Sequence, residues 1–194
     1  MDARIKRLIV GKRAEEWTRI VLSELGLQSR AAPEDLERAW EANLKALLPL
    51  AEPLPGAERV TAHLAACGVP QGLVTSSSRA GVAAKASRHA ALFARFRITV
   101  AGGDVARGKP FPDPYLAAAK LLGVPPEACL AFEDAEAGVL SATAAGMAVV
   151  AVPDGLLFPG EREHKSLFQG AAQVLPSLDA FEPELFGLPA CVPR

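Results

Sequence analysis

Apolar residues recur at helical spacing through the first quarter of the chain. Trp17, Ile20, Val21 and Leu25 share one face across residues 11–27, and Leu36, Trp40, Leu44 and Leu47 share one across 33–50, where Pro33 suits a first helical turn. The two stripes predict packed helices that need a further surface to cover them. At Leu54-Pro55-Gly56 the pattern changes. Val60, Leu64 and Cys67 mark another helix, which Gly68 can close in the left-handed conformation. Short apolar runs then alternate with helical stretches. Strands are expected at 72–74, 98–101, 129–132 and 147–152, and helices at 79–89, 113–122 and 135–145. Asp113 and Pro114 read as an N-cap and a first-turn proline. The tail is less regular, with a short strand at 173–175 and a helical turn at 177–181.

Strands that alternate with helices predict an α/β fold, a Rossmann-like parallel sheet with covering helices. Such sheets bind ligands beyond the carboxyl ends of their strands. Polar residues do gather there: Thr75-Ser76-Ser77 after the first strand, Asp104 and Lys109 after the second, Glu133-Asp134 after the third, and Asp154 after the fourth. Each signal alone has a plain structural reading. The hydroxyls of 75–78 can cap the next helix, Lys109 can be a solvated loop lysine, and Asp113 can be a cap and nothing more. Adjacent carboxylates straight after an apolar strand are less ordinary, since their repulsion in a cleft calls for a counter-charge. As an ordered set the groups suit a phosphate and magnesium site. Hydroxyl and backbone N–H groups hold phosphate oxygens, a lysine offsets phosphoryl charge, and carboxylates bind magnesium.

Charge and cysteine content narrow the partners. With 21 Lys plus Arg against 22 Asp plus Glu, the formal net charge is −1, which gives no overall field to draw in nucleic acid or anionic lipid. No apolar run is long enough to span a bilayer, and the first residues show no secretory pattern. Cys67, Cys129 and Cys191 are scattered and unpaired in sequence, as in a reduced, cytoplasmic protein. The expected partner is a small phosphorylated metabolite.

The order of these motifs resembles the haloacid dehalogenase superfamily of aspartate-nucleophile phosphohydrolases. Leu73-Val74-Thr75-Ser76-Ser77 is similar to its second motif, Gly108-Lys109-Pro110-Phe111-Pro112-Asp113 to its third, and Phe132-Glu133-Asp134-Ala135-Glu136-Ala137-Gly138 to its fourth. Phe111 stands where relatives often carry an acid. Ser87-Arg88-His89, Ala145-Gly146-Met147, Val152-Pro153-Asp154-Gly155 and the tail from Glu182 to Pro189 extend the likeness over nearly the whole chain. The resemblance implies hydrolysis of a small nucleotide-like or sugar phosphate monoester through an aspartyl phosphate. Thr75, helped by Ser76, would bind the phosphoryl group, and Lys109 would stabilise its charge. Asp134 would hold Mg2+, with Glu133 as a ligand or beside one. Residues 1–54 would be part of a small helical cap, and 55–194 the Rossmann-like core.

The superfamily's first motif is Asp-x-Asp at the end of a central strand. Its first aspartate is the nucleophile and its second the general acid and base. No Asp-x-Asp occurs in this sequence; Asp2 is isolated, and residues 2–13 resemble a stretch of the cap. The expectation is therefore a core without its first central strand. It would have unpaired strand edges, or flanking strands forced to pair with each other, together with weak magnesium binding and little or no turnover. Two other readings accompany it: a non-catalytic module that binds phosphate ligands or a partner, and a relative of the sugar phosphomutases.

Overall fold

The computed structural model describes residues 3–155 and 166–190. Asp2 and Cys191 lie outside them. Helices α1 (Ala3–Ile9), α2 (Ala14–Glu24) and α3 (Pro33–Leu44) come first, and a short 3-10 turn follows at Leu48–Leu50. The single helix expected over 11–27 starts only at Ala14, because Gly11 turns the backbone into the left-handed region (φ +76°). The ring centroids of Trp17 and Trp40 lie 5.4 Å apart and join α2 to α3. α3 has no buried residue, so its apolar stripe stays half open.

Next come α4 (Ala57–Ala66), β1 (Gly72–Val74), α5 (Arg79–Ala86), α6 (Ala90–Phe93) and β2 (Ile98–Val100). They are followed by α7 (Asp113–Leu122), β3 (Leu130–Glu133), α8 (Glu136–Ala144), β4 (Ala148–Ala151) and β5 (Gln173–Val174). The four expected strands, the tail strand and the α/β alternation are all present, within a residue or two at their ends. Two helices that no stripe announced are α1 and the one-turn α6.

The strands are parallel but form two separate sheets, β1–β2 and β3–β4–β5. Of the expected alternatives, re-pairing of the two flanking strands, β1 and β3, does not occur among the described residues. β4 is buried on both faces, as a central parallel strand should be. Val149 and Ala151 face a core with Tyr115 and Ala119 of α7 and Val139 and Ala142 of α8. Val150 and Val152 face the opposite core, with Val60 and Leu64 of α4, Leu175 and Phe181. The tail is fastened across this second face. Arg59 on α4 donates to the carbonyls of Leu178, Asp179 and Phe181 at 2.8, 3.2 and 3.1 Å. His63 sits 2.8 Å from the Pro189 carbonyl.

No helix of the described residues is long and apolar enough to cross a membrane. Cys67 and Cys129 are free thiols, and burial raises the Cys129 pKa.

Candidate active site

The carboxyl ends of β1 and β3 meet at one buried ion pair. Lys109 and Glu133 are 7% and 6% exposed, and the Lys109 Nζ bonds the Glu133 carboxylate. The same ammonium donates to the Val74 carbonyl at 3.2 Å, so it reaches both strand ends. Tyr115 Oη donates to the same Glu133 oxygen from α7. The Lys109 Nζ also lies 5.3 Å from the Tyr115 ring centroid. Lys109 is therefore not a solvated loop lysine. Burial raises the Glu133 carboxyl above its ordinary value against the pull of Lys109 and Tyr115, and the Asp134 charge adds to the rise. The Tyr115 hydroxyl is pushed well up, by burial first and by the Glu133 charge next.

Thr75 follows Val74 directly, so it stands beside the Lys109 ammonium at the end of β1. Its hydroxyl accepts from the Ser77 N–H at 3.1 Å. The Ser76 hydroxyl donates to the Gly11 carbonyl at 2.7 Å, which ties the stretch between α1 and α2 to this strand end. Capping of α5 falls to Ser78, whose Oγ accepts from the Gly81 N–H at 3.2 Å. That leaves Thr75 out of the cap. Asp134 is exposed beside the buried pair.

Asp113 is not the side-chain cap that its position suggested. α7 begins at Asp113 itself, and Pro112 holds the cap position. Its carboxylate takes both arms of Arg107, at 3.1 and 2.9 Å, and this pairing holds its pKa below the ordinary value. A two-armed charged partner outcompetes a backbone N–H. Asp104 likewise binds Arg79, at 3.0 and 2.8 Å, outside the Lys109–Glu133 pair.

The sequence reading missed three residues here. Tyr115 is the sole tyrosine of the chain and shares a helical stripe with Ala118, Ala119 and Leu122. A phenol in such a stripe needs a buried acceptor, and that was the available signal. Arg13 reaches the loop before Lys109, donating to the carbonyls of Val105 and Ala106 at 2.6 and 3.1 Å. Nothing in its sequence context marks it. Gly138 packs its Cα against the Glu133 carboxylate, leaving no space for a Cβ. Gly138→Ala is expected to lower the unfolding free energy by about 1–3 kcal/mol, the usual effect of overpacking. Urea denaturation of the two proteins checks this, and a loss under a few tenths would show that the carboxylate moves aside freely.

A family model for haloacid dehalogenase-like hydrolases matches residues 4–146. The chain belongs to that family. It is 41% identical to a probable pseudouridine-5'-phosphatase of Drosophila melanogaster over 96% of this chain and 79% of that protein. It is 37% identical to the mitochondrial (DL)-glycerol-3-phosphatase 1 of Arabidopsis thaliana over 97% of this chain and 63% of that protein. Among solved structures, a β-phosphoglucomutase from Clostridium difficile has the same fold, with a TM-score of 0.77 at 23% identity over 96% of this chain and 81% of the other. The curated relatives named here are phosphatases of small phosphate monoesters.

Magnesium is the metal expected of such hydrolases, but the donor set here does not complete a site for it. Glu133 is committed to Lys109 and Tyr115, which leaves Asp134 as the free carboxylate of the pair. Among the described residues no three His, Cys, Asp or Glu side chains gather closely enough to hold a metal ion.

Proposed function

We propose that these residues form the phosphate-holding side of a phosphomonoesterase site for a small nucleotide-like phosphate, with pseudouridine 5'-phosphate as the first substrate to test. One observation carries the reading: the Lys109 ammonium is buried where the ends of β1 and β3 converge, fixed by Val74 and Glu133. A lysine held in this way keeps its charge at one point, where an anion beyond the strand ends can use it. Thr75 offers its hydroxyl to phosphoryl oxygens, while its N–H donates to the Val100 carbonyl at 2.9 Å. Ser76 contributes its N–H, since its hydroxyl holds Gly11. Glu133 positions Lys109, and Tyr115 positions Glu133. Asp134 is the residue that would take Mg2+, and alone it binds the ion weakly. Helices α1–α3 lie on the substrate side as a lid, tied to the site by Ser76 and Arg13. The 41% likeness to a probable pseudouridine-5'-phosphatase supports the choice of nucleoside phosphate.

Calorimetric titration of the chain with pseudouridine 5'-phosphate and with pseudouridine tests the reading. The phosphate ester is expected to bind at least tenfold tighter than the nucleoside. Thr75→Val and Lys109→Ala, assayed at pH 6, are expected to remove that preference. Equal binding of ester and nucleoside would refute the assignment.

A further inference from the structure

α4 ends in a pair of metal-type donors. His63 and Cys67 stand four residues apart, and the Cys67 N–H donates to the His63 carbonyl at 3.0 Å, so helical geometry runs through both and sets them on one face. The Cys67 Sγ lies 4.0 Å from His63 Nδ1 and 3.8 Å from Nε2. The tail fixes which ring nitrogen is free. Nε2 sits 2.8 Å from the Pro189 carbonyl, which can only accept, so in the neutral ring Nε2 carries the proton and Nδ1 presents a lone pair. A ring whose far nitrogen donates to a backbone carbonyl is the usual arrangement of a histidine that binds metal. The negative pole of the helix also falls at this end, which suits a cation.

A third donor is tethered beside the pair. Cys191 lies outside the described residues, but chain length sets its reach. It follows Pro189 by two positions, and two residues of extended chain span at most about 7 Å. The Pro189 carbonyl and the Cys67 thiol meet the same ring nitrogen of His63, so the Cys191 thiol is within reach of both donors. Tetrahedral zinc, with bonds of about 2.3 Å to sulfur and about 2.0 Å to nitrogen, sets its donors about 3.6 Å apart. The 4.0 Å between the Cys67 Sγ and His63 Nδ1 closes to that with a small turn of the Cys67 side chain, which is exposed.

We propose that His63 Nδ1 and the thiolates of Cys67 and Cys191 bind one Zn2+ ion, with water in the fourth position. The donor set selects the ion. Two thiolates and an imidazole favour zinc over magnesium or calcium, which take oxygen ligands. Each thiol gives up its proton as its Zn–S bond forms, so binding releases up to two protons and no electrons move. A disulfide between the same two thiols would leave the His63 lone pair unused. The ion fastens the tail to α4 beside the Arg59 bonds to residues 178, 179 and 181. The site uses none of Lys109, Thr75 or Asp134, so it stands apart from the phosphatase reading.

The test titrates the whole chain, kept reduced with a phosphine, with Zn2+. One ion per chain is expected. Cys67→Ser, Cys191→Ser and His63→Gln are each expected to weaken binding about hundredfold or more, and Cys129→Ser to leave it unchanged. Cobalt(II) in place of zinc is expected to give a sulfur-to-metal charge-transfer band and the intense visible bands of a tetrahedral site, both lost in the cysteine variants. Amide hydrogen exchange at Leu188 and Ala190 is expected to slow at least tenfold with Zn2+. If a variant does not fold, the cobalt spectrum of the unaltered chain decides alone, and a spectrum without the sulfur band refutes the site. No binding, one ion per two chains, binding unchanged in either cysteine variant, or binding lost in Asp134→Asn instead would each overturn the proposal. So would a Cys67–Cys191 disulfide that persists with reductant and zinc present.

Discussion

The 194-residue chain is expected to release phosphate from pseudouridine 5'-phosphate at no more than the rate in buffer with Mg2+. The route typical of this family requires a carboxylate that attacks phosphorus and is later hydrolysed. No Asp-x-Asp is present among these residues to supply it. Lys109 and Thr75 can place and neutralise a phosphoryl group, but positioning without an acceptor leaves the covalent step undone. In a hydrolase that depends on a covalent nucleophile, its removal lowers kcat by a factor on the order of 10⁶. Inorganic phosphate release over hours, at several chain concentrations, checks the expectation. Turnover that scales with protein and vanishes in Lys109→Ala would falsify it. A phosphorylated side chain trapped on this polypeptide would do the same.

Lys109→Ala is expected to cost about 3–5 kcal/mol of stability at pH 8, because it leaves Glu133 buried as an unpaired anion. The loss should be far smaller at pH 5. Burial already raises the Glu133 carboxyl above its unfolded value of 4.5, and losing Lys109 raises it further. With the folded value above the unfolded one, the native state holds the proton more tightly. Its contribution is complete below the unfolded value and is lost as pH rises through the folded one. Lys109→Ala should therefore grow less stable from pH 5 to pH 8 while the unaltered chain changes less. Lys109→Ala combined with Glu133→Gln should recover much of the pH 8 deficit, since no charge is then stranded. Urea unfolding across this range measures all three proteins, and a loss independent of pH would show that Glu133 stays hydrated without its partner.

Much of this was legible in the sequence because it depended on local rules. The runs at 72–74 and 148–151 are apolar on both faces, and the glycines at 68, 123 and 146 close helices with φ between 70 and 83°. Thr75, Lys109 and Glu133 could be grouped because each follows a strand, and the fold places strand ends together. What stayed hidden depended on contacts across the chain. Asp113 looked like a cap until Arg107 came within 2.9 Å of it. Tyr115 looked like core, and its hydroxyl found Glu133 only because α7 runs beside β3. Ser76 was grouped with the phosphate ligands, but Gly11, 65 residues away, took its hydroxyl. The turn at Gly11 delayed the expected helix to Ala14, since a positive φ leaves no mark on hydrophobic spacing.

The clasp of Arg59 on the carbonyls of residues 178–181 spans about 120 positions of sequence. Until residues 175–181 arrive, the cluster of Val60, Leu64, Val150 and Val152 lacks Leu175 and Phe181 and keeps part of its apolar surface open to solvent. Closure by so distant a segment slows folding and gives chaperones a window on the nascent chain, and the same opening is a risk of clumping.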